Sequence, residues 1–315
     1  MPAIGRRHGE ANWQMTLQRS ESGIDGIPAP LPVPHTNGFR NGSNGHHPPA
    51  NLRVSVVIPA RNEAKSLPHV LSKLPRWVHE VILVDGLSVD DTSRVAKLEL
   101  PAIRIVEQTG RGKGNALREG FVHCTGDVIV ALDADGSMDP GEMDRFVEVL
   151  AGGYDYVKGS RMLPGASSSD LTLLRSAGNW IFRTLTNVIT GSRYSDLCYG
   201  YFAFRRGTVD ALDLRTDGFE IETEINIRAH RAGLRIAEVA SCETERHHGS
   251  SQLHALRDGL RILFTIGRTS LGAKDKIKSS SNGSLPSSDM LSAVTVPVPL
   301  DSERSHGKNG LPPDY

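Results

Sequence analysis

Short apolar runs recur between residues 53 and 160, and each stops at a polar or turn-forming break. Val54-Ser-Val-Val-Ile58 stops at Pro59, Val81-Ile-Leu-Val84 stops at Asp85-Gly86, and Val128-Ile-Val-Ala-Leu132 stops at Asp133. Ile103-Arg-Ile-Val106 is a fourth such run. Their length and β-branched content predict buried strands. Helical spacing fills residues 63–74 and 112–124, and Asp90 and Asp91 sit where a helix N-terminus favours carboxylates. Strands alternating with helices predict βαβ units and a mostly parallel central sheet flanked by helices, an α/β fold. Right-handed crossovers put the strand C-termini on one edge, and ligands of such sheets bind outside that edge. Glu63, Asp85, Asp133 and Asp135 all fall there, so the pattern predicts one site rather than three.

The second half is less regular. Residues 171–189 form a long helical stretch with a mostly apolar face, 200–205 a strand, 220–232 a helix and 235–239 a strand. Leu253, Leu256, Leu260, Leu263, Gly267 and Leu271 then fall near one helical stripe. Residues 1–51 and 273–315 carry Gly, Pro, Asn and Ser without periodicity. They are expected to be disordered tails, because they cannot bury enough apolar surface to offset the entropy of ordering. One domain is expected over residues 52–272.

Charge and cysteines narrow the classes. The 36 basic side chains balance 36 acidic ones, so net charge makes no case for nucleic acid. The three cysteines lie far apart and form no CxxC pair, which favours a reducing cytoplasm. The N-terminus lacks the apolar core of a signal peptide, and no run approaches the roughly 18 apolar residues of a membrane span. Residues 246–278 hold seven Lys or Arg against two Asp. That helix suits either peripheral contact with an anionic membrane or packing on the domain.

Asp133-Ala134-Asp135 carries the most chemistry. Alone, an Asp-x-Asp also fits a surface turn. At the end of a buried strand it sets two carboxylates near one point, where a hard cation such as Mg²⁺ or Mn²⁺ would neutralise a departing diphosphate. Gly136 would allow close backbone approach to a ligand. Asp85 suits a base N–H or ribose hydroxyl, with Ser88 or Asp90 or Asp91 capping the next helix. Glu63 suits either a ribose or a helix start. Lys113, in Gly110-Arg-Gly-Lys-Gly-Asn115, suits a phosphate at a helix N-terminus. The Gly-rich segment is neither a P-loop nor a dinucleotide fingerprint.

Together, Val57-Ile-Pro-Ala-Arg-Asn-Glu63, Val84-Asp-Gly-Leu-Ser-Val-Asp-Asp-Thr92, Gly112-Lys-Gly114 and Asp133-Ala-Asp135 resemble a family 2 glycosyltransferase of GT-A fold. Within that family the chain is most similar to the dolichyl- or polyprenyl-phosphate mannose or glucose synthases. The resemblance spans about residues 52–272. It implies a nucleotide-sugar half over 52–160 and an acceptor half over 161–272. Pro59, Arg61 and Glu63 would line the nucleotide pocket, Asp85 would hold the base, and Asp133, Ala134 and Asp135 would meet metal and diphosphate. Lys158-Gly-Ser-Arg161 matches a segment whose arginine meets phosphate, and Arg175 and Asn179 fall at acceptor-side positions. Asp196, before Gly200-Tyr201, matches a segment near the reacting sugar. The resemblance further implies inversion by direct displacement from GDP-mannose or UDP-glucose. The alternative acceptor is a soluble hydroxyl, on a glycan or natural product, which would need a general base, with Asp196 first and Glu222 and Glu224 in reserve. Polyprenyl phosphate would instead need positioning cations, for which Arg161, Arg175, Arg205 and Arg206 are candidates. A nucleotide-sugar-binding protein without catalysis is the alternative from another class. Ala60-Arg61 stands where Thr-Tyr is common and Gly86 replaces a second Asp, which leaves the donor open.

Overall fold

The computed structural model describes residues 52–249, 254–271 and, as backbone, 294–296. The first half alternates as the apolar runs predict. It contains β1 (Val54–Ala60), α1 (Leu67–Ser72), β2 (Glu80–Asp85), α2 (Thr92–Glu99), β3 (Arg104–Glu107), α3 (Lys113–Val122), β4 (Val128–Ala131), α4 (Met143–Ala151) and β5 (Tyr156–Ser160). The second half holds β6 (Ser167–Ser168), α5 (Leu173–Thr190), β7 (Phe202–Arg205), α6 (Val209–Leu212), α7 (Ile221–Arg231), β8 (Ile236–Ala240), β9 (Cys242–Glu243), α8 (Ala255–Leu271) and β10 (Val294–Val296).

One sheet has the order β10-β8-β5-β7-β4-β1-β2-β3. All its strands run parallel except β7, which is antiparallel to both β4 and β5. Central strands are buried on both faces, as parallel sheets require. In β1, Val54, Val56 and Ile58 join a core with α1, α2 and α4. Val57 faces the other way, into a core with α3, α6 and α7 that includes Phe121, Tyr156, Phe202 and Phe204. Pro59 is tolerated because the pairing of β1 with β4 ends at Val57, before its missing N–H matters.

The helices α5 and α8 lie outside this sandwich, against α7. Phe182 packs on Ile227, Ile262 and Ile266 in a third, smaller cluster. Thr172 caps α5 by accepting from the Arg175 N–H, and Gly191 ends the helix in the left-handed region. The leucine stripe of α8 is not its packed side. Ile262, Thr265, Ile266 and Thr269 face inward, while Leu256, Leu260, Leu263 and Leu271 stay exposed.

Two expectations change. The helix expected over 63–74 shortens to α1, because residues 61–66 serve the loop at the sheet edge. In the segment expected to be structureless beyond residue 272, Val294-Thr-Val is β-branched and pairs parallel with β8 as an edge strand. The remainder of both expected tails lies outside the described residues.

Candidate active site

The parallel strands deliver their C-terminal ends to one edge. Ala60, Asp85 and Glu107 end adjacent strands there, and Asp133 follows β4 by two residues. Because β7 runs the other way, its entry lies at the same edge: Phe202 pairs with Ala131 and Lys158. That reversal brings Gly200 beside Asp133.

Lys113 is the first residue of α3, and its ammonium lies 2.6 Å from Asp133 and 2.7 Å from Glu222. Burial would lower its pKa, but the two carboxylates outweigh that and hold it above the ordinary lysine value. A Cβ on Gly200 would fall 2.6 Å from Lys113 Nζ and 2.7 Å from Glu222 Oε1, so a side chain here would push the pair from its present position. Asp135 is nearly buried. Its Oδ1 accepts from the Ser137 N–H and hydroxyl, and its Oδ2 lies 2.9 Å from Arg246. The Asp135 carbonyl also accepts from the His247 N–H, and the His247 ring packs edge-on against His69. Gly136, at φ +80°, leaves space that the His247 ring occupies.

Glu63 joins this group electrostatically. Burial first, then the charges of Asp135 and Asp133, push its carboxyl up to about 7, against Ser66 and Arg246. The adjoining loops interlock. Asn62 donates its N–H to Ser88 Oγ and accepts from the Val89 N–H, while Asp90 accepts from the Ala64 and Thr92 N–H groups. Asp85 accepts from the Ser88 N–H and the Ser93 hydroxyl. Arg61 is exposed at the lip, and Pro59 and Ala134 are backbone-forming neighbours.

Other expected residues sit elsewhere or act differently. Asp196 is wholly buried, and Arg161 holds both of its oxygens, at 2.7 and 3.0 Å. Burial would raise its pKa, but Arg161 keeps it below the usual carboxylate range, so it is a poor proton acceptor. Arg161 also reaches Glu243 at 3.1 Å and stacks on Tyr199. Asn179 is buried, and its Oδ1 accepts from the Leu197 and Cys198 N–H groups, so it shapes the loop rather than facing an acceptor. Arg175 pairs with Asp170 at 2.8 Å near the start of α5. Arg205 and Arg206 are at the opposite edge. Arg205 donates to the Tyr154 and Leu150 carbonyls and Arg206 to Gly126, because the antiparallel β7 carries its C-terminus away from the site. Glu224 is consumed by the Arg215 and Thr216 N–H groups, the Thr216 hydroxyl and Arg228.

The sequence did not single out Arg246 as the partner of Asp135 or Glu222 as the partner of Lys113. No spacing rule links residues so distant in the chain. Only the Arg246-His-His cluster after a strand hinted at the first.

Asp133 and Asp135 fit a hard cation that a ligand's diphosphate and water would complete. Among the described residues no group of three or more His, Cys, Asp or Glu forms a ready cage. Among the described residues Arg246 Nε is buried without a hydrogen-bond partner, a donor left for an anionic ligand.

Paired carboxylates and a basic helix start outside a parallel sheet suit a diphosphate and its cation, the ligand chemistry of nucleotide-diphosphate-sugar transferases. The fold is shared with glucosyl-3-phosphoglycerate synthase from Mycobacterium tuberculosis, which superposes with a TM-score of 0.57 at 24% identity, over 70% of this chain and 80% of that one. That enzyme was solved with Mn²⁺, uridine diphosphate and glucosyl-3-phosphoglycerate. Residues 55–212 match glycosyl transferase family 2, and the chain belongs to that family. It is 33% identical to glycosyltransferase AglJ of Haloferax volcanii over 68% of this chain and 71% of that protein. It is also 33% identical to the undecaprenyl-phosphate mannosyltransferase of Micrococcus luteus, over 64% of this chain and 88% of that protein. The protein is therefore a glycosyltransferase.

Proposed function

We propose that this glycosyltransferase moves a hexose from a nucleoside diphosphate sugar, GDP-mannose or UDP-glucose, to polyprenyl phosphate with inversion. The supporting observation concerns the carboxylates. Asp196, Glu222 and Glu224, the candidate bases for a hydroxyl acceptor, are committed to Arg161, Lys113 and the 215–216 backbone respectively. An ionised phosphate acceptor needs no base, only cations and alignment. The names of the relatives point the same way.

Glu63, Asp85 and Arg61 line the donor end of the edge. Asp133 and Asp135 would hold Mg²⁺ or Mn²⁺, which supplies charge neutralisation for the departing diphosphate. Lys113 begins α3 and stands beside Asp133, where its ammonium can shift to a phosphate oxygen as the leaving group gains charge. Arg161 is fixed by Asp196 and Glu243, and Arg175 by Asp170. Both define the acceptor side.

The test incubates the full chain with labelled GDP-mannose or UDP-glucose, Mn²⁺ and either polyprenyl phosphate or hydroxyl acceptors. Lipid-linked hexose phosphate is the expected product. Product formed only on hydroxyl acceptors would overturn the reading. A protein that binds the donor and transfers to neither acceptor would be a binding protein instead.

A further inference from the structure

A hollow of about 670 Å³ lies between α8, the start of α3 and the loop that leads into α7. Its size is that of a small-molecule site, for which roughly 300–1,000 Å³ is usual. The helix α8 packs on α5 and α7, and no described helix is long and apolar enough to cross a membrane. Leu260, Arg261, Phe264 and Arg268 recur at helical spacing, so a single face of α8 supplies one wall. Arg111 and Arg215 face it from the other elements. The lining holds these four arginines against two acids, Asp217 and Glu220, an excess of two positive charges in a chain of zero net charge. None of Glu63, Asp85, Asp133 and Asp135 lines it, so the hollow is separate from the carboxylate edge.

The two acids do not answer the arginines. Asp217 pairs with Arg118, and Glu220 is tucked beneath Gly218, whose N–H its Oε1 accepts. Arg215 pairs with Asp213. Arg261 keeps 52% of its side chain exposed although Asp258 lies 3.7 Å away. Arg111 and Arg268 have no ion-pair partner among the described residues. Like charges gathered in this way repel each other, and an anion between them removes that cost. Beside them Leu260 and Phe264 are exposed by 68% and 69%, an apolar and aromatic wall that a bare inorganic anion would leave uncovered. The floor of the hollow is tied to the catalytic end of α3. The Asp217 carbonyl accepts from the Gly114 and Asn115 N–H groups, on either side of which stand Lys113 and the body of the helix. Glu222, which holds Lys113, follows Glu220 by two residues.

We propose that this hollow is a second ligand site, for a nucleoside monophosphate, and that its occupant steadies the 215–218 loop on the start of α3. A phosphate monoester carries close to the two negative charges that the lining lacks, and guanidinium groups bind it through paired N–H donors. The base stacks on Phe264, whose exposed ring offers a planar apolar face. The site would act as an effector site, because the loop it holds also fixes the backbone beside Lys113. Its existence does not depend on which acceptor the enzyme uses.

The test titrates the full chain with AMP, GMP and UMP by calorimetry in metal-free buffer, with no sugar donor present. At least one of them should saturate a single site, about tenfold or more tightly than inorganic phosphate or its own nucleoside. The double variant R261Q/R268Q should weaken that binding by about tenfold or more and keep the melting temperature of the parent, because both side chains are exposed. Arg257→Gln, on α8 but outside the hollow, should leave it within about twofold. Phe264→Ala should weaken the nucleotide and not inorganic phosphate. In the parent, the bound nucleotide should slow hydrogen exchange at the Gly114 and Asn115 amides, a readout that mere surface attraction would not move. Four results would overturn the proposal. They are saturable binding of none of the three nucleotides, binding that R261Q/R268Q leaves intact, an equal loss in Arg257→Gln and Arg268→Gln, and unchanged exchange at Gly114 and Asn115 with the site filled.

Discussion

Between Val54 and Ser160 the chain repeats strand and helix, and its polar residues gather at the strand ends. Between Arg161 and Leu271 it inserts an antiparallel strand, folds buried ion pairs beneath a loop, and lays two helices outside the sandwich. The first half needs only local rules to make a site, because parallel strands share one C-terminal edge. The second half builds its side of the site from contacts between distant residues. Arg161 with Asp196, Asn179 with the 197–198 backbone and Arg246 with Asp135 are examples. Local backbone geometry thus places the edge carboxylates, whereas a buried charge network places the cations proposed for the acceptor side.

Mutations can break that contrast. The largest effect is expected at Asp135: Asp135→Ala should lower metal-dependent donor turnover by about 100-fold or more while the fold persists, measured with and without Mn²⁺. Next, Asp196→Ala should act on stability. It leaves the Arg161 guanidinium, 7% exposed, with only Glu243 as a charged partner among the described residues, and a broken buried pair costs about 3–5 kcal/mol in a denaturant melt. A folded Asp196→Asn enzyme should keep the pH–rate profile of the parent, since no proton passes through this residue. If that profile loses a limb, the buried network also does acid–base work and the contrast between the halves fails.

Gly200→Ala should have an intermediate effect. Its methyl would crowd only the flexible ends of Lys113, Glu222 and Asp133, so the protein should fold and lose roughly tenfold in kcat/KM for the donor. Glu63→Gln sharpens the donor side. The folded-state pKa of Glu63, about 7, exceeds its ordinary 4.5. The folded state therefore binds the extra proton between those values, and stability from this group, full below 4.5, is lost as pH rises through 7. Metal-free Glu63→Gln should accordingly melt higher than the parent above pH 7, with the difference closing toward pH 4.5. Smallest of all, Arg205→Gln should change donor turnover by less than about twofold, because its guanidinium serves carbonyls at the far edge.

The carboxylate edge, the proposed donor end, was legible from the chain for a definite reason. Apolar runs fix where strands stop, so Glu63, Asp85, Asp133 and Asp135 could be assigned to one edge without coordinates. The proposed acceptor end was legible only as a set of residue types. Arg205 and Arg161 look alike in sequence, yet the direction of β7 sends one away and a buried Asp196 pins the other at the site. The leucines of α8 fit either a packed or a membrane-facing stripe in sequence, and only the positions of α5 and α7 show that the opposite stripe is packed.

The sequence by itself determined the α/β architecture and the carboxylate edge, because strand period and strand ends are local properties, and its four ordered motifs carried the family resemblance. Tertiary structure alone decided which cations are free to act, which carboxylates are already committed, and which helix faces remain uncovered. Those depend on burial and on partners far apart along the chain, and no spacing rule encodes them.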